Sequence, residues 1–125
     1  MRLLIDSNVF IWMAAQPSEL SAGAREALAN PANERVLSVV AIWEIAIKLS
    51  LRKLVLPGDL MVAVEGMAAV TLPLRLAHIG RVQRLPLHHR DPFDRMMIAQ
   101  ALEENLTIVT RDRAFGAYGV RLLAA

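Results

Sequence analysis

The sequence predicts an α/β domain built on a parallel sheet with helices on both faces. Three observations carry this. Short apolar runs alternate with helix-period segments along the whole chain. The hydrophobic share is 55% before glycine is counted, whereas an ordinary soluble domain has about 45–50% with glycine included. That excess suits strands buried on both faces, or apolar surface covered by a partner. Finally, two apolar runs lead into aspartates, Asp6 and Asp112.

The elements follow in order. "RLLID" reads as the first strand. "SNVFIWMAAQ" is a short helix ended near Pro17. Ser21 caps a second helix, "AGAREALAN", which Pro31 closes. "ERVLSV" is the second strand. Ser38 or a neighbour then opens a long apolar helix running to Lys53. "PGD" starts a helix from Leu60 to Ala68, and "AVTLPL" is the third strand. "RLAHIGRVQRL" reads as a helix despite its glycine. "DPFDRMMIAQALEEN" is the clearest helix, with Asp91 at the N-cap, Pro92 in the first turn and Asn105 as a left-handed C-cap. "LTIVT" is a strand, and "GVRLLA" is a final edge strand. Nothing marks a linker or repeat, so residues 1–125 are expected to form a single domain.

Composition removes several classes. There is no cysteine, which excludes disulfides and thiolate metal sites and is compatible with a reducing cytoplasm. The longest uncharged run, Ser7–Ser18, is too short to span a bilayer. Asp6 interrupts "MRLLID" before a signal-peptide core forms. A cytoplasmic, unprocessed chain is expected. Net charge is only +2, but 12 of the 14 basic residues are arginine. Gly66 to Arg90 holds no acid, but contains Arg75, Arg81, Arg84, Arg90 and three histidines. Arginine forks match phosphate; solvated helix faces would look the same.

Four acids point to chemistry. Asp6 and Asp112 stand at the carboxyl ends of predicted strands, where open parallel sheets bind ligands. Asp94 shares a helical stripe with Ile98, Ala101 and Leu102, which faces inward. Glu44 lies in "AIWEIAIKL", apolar almost all round. An exposed pair with Lys48 would explain it; a buried Glu44 needs a cation. Four carboxylates in one pocket repel each other. A hard divalent cation, Mg²⁺ or Mn²⁺, relieves that repulsion. It can also orient a water, lower its pKa and stabilise charge on a phosphate.

At this point the chain resembles the PIN-domain family, and in particular toxins of the VapC type. The motifs are "LLIDSNVFIW", "VVAIWEIAIKLSLRKLVLP", "PLHHRDPFDRMMIAQA" and "LTIVTRDRAF". The resemblance implies a three-layer α/β/α fold with a parallel sheet of four to five strands. It places the catalytic, metal-binding quartet on Asp6, Glu44, Asp94 and Asp112, with Ser7, Asn8 and Thr110 as supporting polar residues. Ser7-Asn8 stands where Thr-His or Thr-Asn is commoner, and keeps both polar functions. The implied activity is a Mg²⁺-dependent endoribonuclease that arrests translation, with Mn²⁺ able to substitute. The implied partners are RNA, a cognate VapB-like antitoxin and a second copy in a homodimer. Arg75, Arg81, Arg84, Arg90 and Arg95 are candidate RNA-phosphate contacts.

Other classes are weaker. A receiver domain needs an aspartate after a middle strand, and neither "ERVLSVV" nor "VTLPL" supplies one. A haloacid-dehalogenase-like phosphatase needs an aspartate where Asn8 stands. A non-catalytic module whose acidic pocket docks a basic peptide stays open. Asp91 reads as a cap before an auxiliary ligand. His88 and His89 read as a loop that packs or touches phosphate, because adjacent imidazoles point apart.

Overall fold

A computed structural model describes all residues, 1–125. Five parallel strands, β1 (Arg2–Ile5), β2 (Glu34–Ser38), β3 (Val70–Leu72), β4 (Thr107–Thr110) and β5 (Arg121–Ala124), lie in the order β3-β2-β1-β4-β5. Six helices flank them: α1 (Ser7–Ala15), α2 (Ala22–Ala29), α3 (Val39–Ser50), α4 (Leu60–Gly66), α5 (Leu76–Arg84) and α6 (Pro92–Glu104). The order runs one way from β1 to β3, then back across to β4. Right-handed crossovers therefore place the helices on both faces. The reversal lies between β1 and β4, and its crevice opens at their carboxyl ends.

The core explains the apolar excess. Leu3, Leu4, Ile5, Ile108 and Val109 are wholly buried in the two central strands. Apolar surface is also left over: Trp43, Val55, Met61, Val62, Leu76 and Leu87 are exposed. No helix is long and apolar enough to cross a membrane.

The expected elements all form, with shifts at their ends. α3 stops at Ser50 rather than reaching Lys53. Arg52 takes a left-handed conformation, φ 58°. Its N–H bonds to Leu49 O at 3.1 Å, while Lys53 N–H reaches back to Lys48 O at 2.9 Å. This is a Schellman closure made without glycine. α4 likewise ends at Gly66, ahead of Ala68 at φ 49°. β3 covers only Val70–Leu72, because Pro73 has no N–H to donate. Two 3₁₀ turns, Pro17–Glu19 and Arg113–Tyr118, have no counterpart in the sequence reading.

Candidate active site

The end of β1 fixes Asp6. Pairing brings Ile5 level with Val109, so Asp6 comes level with Thr110, and its N–H extends the ladder to Val109 O at 3.2 Å. Thr110 Oγ1 donates to Asp6 Oδ2 at 2.8 Å. The other oxygen caps α1, accepting Ser7 N–H at 2.8 Å. Asp6 is 7% exposed. Burial pushes its carboxyl above the ordinary 3.8; the bonds from Thr110 and Ser7 oppose this, and the Glu44 and Asp112 charges add to it.

Glu44 lies on the inward face of α3 beside Val40, Ala41 and Ile45, and it is buried. Ser7 Oγ donates to its Oε1 at 2.7 Å. Lys48 Nζ lies 3.1 Å from Oε2, with the lysine side chain 40% exposed. The two readings of Glu44 were not exclusive. The lysine stem runs up one helical turn and brings its ammonium back over a buried carboxylate. The cation facing Glu44 here is Lys48.

Asp94 belongs to the first turn of α6, but the cap is Asp91, whose Oδ1 accepts Phe93 N–H at 2.8 Å and Asp94 N–H at 3.2 Å. Freed from capping, the Asp94 side chain is 19% exposed and lies against His89. Its carboxyl is pushed up to about 7. Burial is the main cause, followed by the charges of Asp91, Asp6 and Glu44; the His89 contact pulls the other way. Asp112, 43% exposed at its side chain, caps the following 3₁₀ turn through Ala114 N–H at 2.9 Å. Its own N–H donates to Thr110 Oγ1 at 3.1 Å.

The four acids thus form one connected chain through three bridging residues. Ser7 joins Glu44 to Asp6, Thr110 joins Asp6 to Asp112, and His89 joins Asp112 to Asp94. Asn8 takes no part; it is exposed on α1. His89, which sequence reasoning read as part of a loop that packs or touches phosphate, lies between two of the acids. Its Nε2 lies 3.2 Å from Asp112 Oδ2 and 3.3 Å from Asp94 Oδ2. The sequence signal is faint: Asp91 stands two residues on, and its backbone N–H returns to the ring at Nδ1, 3.2 Å away.

The arginines divide. Arg95 is engaged as a clamp: its guanidinium donates to the carbonyls of Val82, Leu85, Pro86 and His89 and to Tyr118 Oη. Arg75 pairs with Glu104 at 3.6 Å, and Arg81 with Glu103 at 3.3 Å. Those partners are nine and ten residues beyond Asp94 on α6, about 14–15 Å along the helix axis. Arg75 and Arg81 are therefore not brought to the acids. Arg84 and Arg90 are exposed, and no acid pairs with them.

The donor set suits a hard divalent cation. It consists of carboxylate oxygens around a crevice, with Lys48 and His89 as the basic side chains against them. One of the four carboxyls holds a proton up to near neutrality, and a metal could take that proton's place. His89, Asp94 and Asp112 offer three ligand-type atoms within 4.8 Å of one another.

Known proteins agree with this architecture. The sequence model of the PIN domain matches residues 3–120. Ribonuclease VapC22 of Mycobacterium tuberculosis is 26% identical over 117 residues, covering 89% of this chain and 87% of that protein. A DNA-bound VapBC structure from Salmonella typhimurium superposes with a TM-score of 0.74 at 18% identity, covering 99% and 98% of the two chains. VapBC2 from Rickettsia felis, bound to a promoter DNA fragment, gives 0.73 at 14% identity with the same coverage. These structural likenesses concern the fold.

Proposed function

The chain belongs to the PIN-domain family, and from that premise we propose that it is a divalent-metal-dependent endoribonuclease of the VapC type. In this reading it arrests translation and is neutralised by a VapB-like antitoxin, with Mg²⁺ or Mn²⁺ as cofactor and a homodimer as its assembly. The observation that carries the proposal is the connected chain of four acids at the β1–β4 reversal, held by Ser7, Thr110 and His89.

Asp6, Asp94 and Asp112 would hold the metal. Glu44, unlike those three, already faces a full cation, Lys48 at 3.1 Å, and would contribute chiefly its charge. When bound, the metal supplies Lewis-acid stabilisation of phosphate charge and activation of water. The chain's own residues do the rest. Ser7 and Thr110 fix the carboxylate planes. Asp91 keeps the α6 N-terminus satisfied, so Asp94 stays available. Arg84 and Arg90 can meet RNA phosphates without giving up an acid partner. In the reaction, a water oxygen attacks phosphorus and the bond from phosphorus to the 3′ oxygen breaks, leaving a 3′-hydroxyl and a 5′-phosphate.

The test is cleavage of a structured RNA pool by antitoxin-free protein in Mg²⁺, Mn²⁺ and EDTA, with end-group analysis. Discrete cuts bearing 5′-phosphate are expected, abolished by EDTA and reduced more than about a hundredfold by Asp94→Asn. Cyclic 2′,3′-phosphate ends would overturn the water-attack scheme. No cutting by folded, metal-loaded protein would favour an acidic pocket that docks a basic peptide.

A further inference from the structure

We propose that His89 is a positioning residue of the acidic centre, donating its Nε2–H to Asp112 and lying against Asp94, so that the two carboxylates are held toward one point. This rests on the metal-nuclease reading above and assigns within it a role to a residue outside the acidic quartet.

The hydrogen bond at the far side of the ring decides the role. Asp91 N–H donates to His89 Nδ1 at 3.2 Å, so Nδ1 is an acceptor and the ring proton is on Nε2. That proton is donated to Asp112 Oδ2 at 3.2 Å, and Asp94 Oδ2 lies beside the same nitrogen at 3.3 Å. A direct metal bond through Nε2 would need the opposite tautomer and would set Nδ1–H against Asp91 N–H. The ring is therefore arranged as a donor to metal ligands rather than as a ligand.

The surrounding loop is built to keep it there. Tyr118 Oη accepts the backbone N–H of His88 at 3.0 Å and of His89 at 2.7 Å. Arg95 Nη1 donates to the same hydroxyl at 3.2 Å and to Pro86 O at 2.9 Å. The imidazole rests edge-on against Phe115, centroids 5.7 Å apart. Such outer contacts orient ligands, and losing one commonly weakens metal affinity by about ten- to a hundredfold.

The test uses the full chain, with Mn²⁺ as the probe. Long-range proton–nitrogen spectra of the ¹⁵N-labelled protein report the His89 tautomer without any metal or activity. Electron paramagnetic resonance of free Mn²⁺ gives dissociation constants for wild type, His89→Phe and His89→Gln, each shown folded by its melting curve. Phenylalanine keeps the contact with Phe115 but has no donor; glutamine restores an N–H at similar reach. The expected result is the Nε2–H tautomer, about ten- to a hundredfold weaker Mn²⁺ binding in His89→Phe, and recovery to within about threefold in His89→Gln. Unchanged affinity in His89→Phe overturns the proposal and leaves the metal centre standing. Nitrogen modulation in the spin echo of bound Mn²⁺, lost in His89→Phe, also overturns it, in favour of direct ligation. Failure of wild type to bind Mn²⁺ removes the metal centre and this role with it.

Discussion

Two histidines in this molecule use the same device in different surroundings. His78 is wholly buried; its Nδ1 accepts Arg75 N–H at 3.0 Å, and its Nε2 meets Glu104 Oε1 at 2.8 Å. His89 accepts Asp91 N–H in the same way, and its Nε2 meets two carboxylates. At His78 the sum is balanced: Arg75 also pairs with Glu104, and Gln100 joins Ser38 at 2.5 Å to close the network. At His89 no arginine answers the acids. The first arrangement fastens α5 to α6. The second leaves negative charge over, which adds to burial in raising the Asp94 carboxyl to about 7 and which a bound metal would relieve under the proposed function. The difference sets a charge-balanced polar cluster against an acidic one with charge to spare, on the two halves of one helix, α6.

The comparison breaks most clearly through pH. Asp94 is raised from 3.8 to about 7 in the fold, and Asp6 is raised as well. A raised carboxyl binds its proton more tightly when folded. Its stabilising share is present below about pH 4 and is lost as pH rises through about 7. In EDTA, wild type should lose up to about 4 kcal/mol of stability over that window, at 1.36 kcal/mol per unit. Asp94→Asn should flatten the curve and melt higher than wild type at pH 8. A lower melting temperature for Asp94→Asn at pH 8 would mean that its charge serves the helix end instead.

Glu44→Gln is the next largest effect. It keeps an oxygen for Ser7 but removes the charge that faces Lys48. Mn²⁺ affinity should fall by about ten- to a hundredfold, read by calorimetry. No change would place Glu44 with the structural group. His78→Leu should do the reverse: a cost of about 1–3 kcal/mol in urea unfolding, from polar groups left unpaired, with metal affinity unaltered. A tenfold affinity change there would show that the two clusters are coupled. Smallest is Arg75→Ala. Its partly exposed pair should be worth less than about 1 kcal/mol in the same unfolding assay.

Much of the fold was legible because its signals are local. Asp91, Pro92 and Asn105 bound α6 by their own backbone chemistry, and Asn105 takes φ 56°. The end of α3 was not, because an arginine rather than a glycine takes the left-handed position. Strand order was beyond reach, since pairing between β1 and β4 joins residues 104 positions apart in sequence. The acids were legible one by one, Asp6 and Asp112 from strand ends and Asp94 from its stripe. Their bridging residues were less so. His89 meets Asp112 across 23 positions, and Arg95 is occupied by carbonyls at the end of α5 and just beyond it, which sequence does not display. Glu44 was read as a choice between burial and a lysine pair, while the side-chain length of Lys48 allows both.

The most direct measurement is a calorimetric Mn²⁺ titration of wild type, Asp6→Asn and Asp94→Asn at pH 7.5. Saturable binding by wild type, weakened at least about tenfold in both variants, is the predicted result. Absence of binding by wild type, or equal affinity in all three proteins, would contradict the claim that these acids form a metal centre.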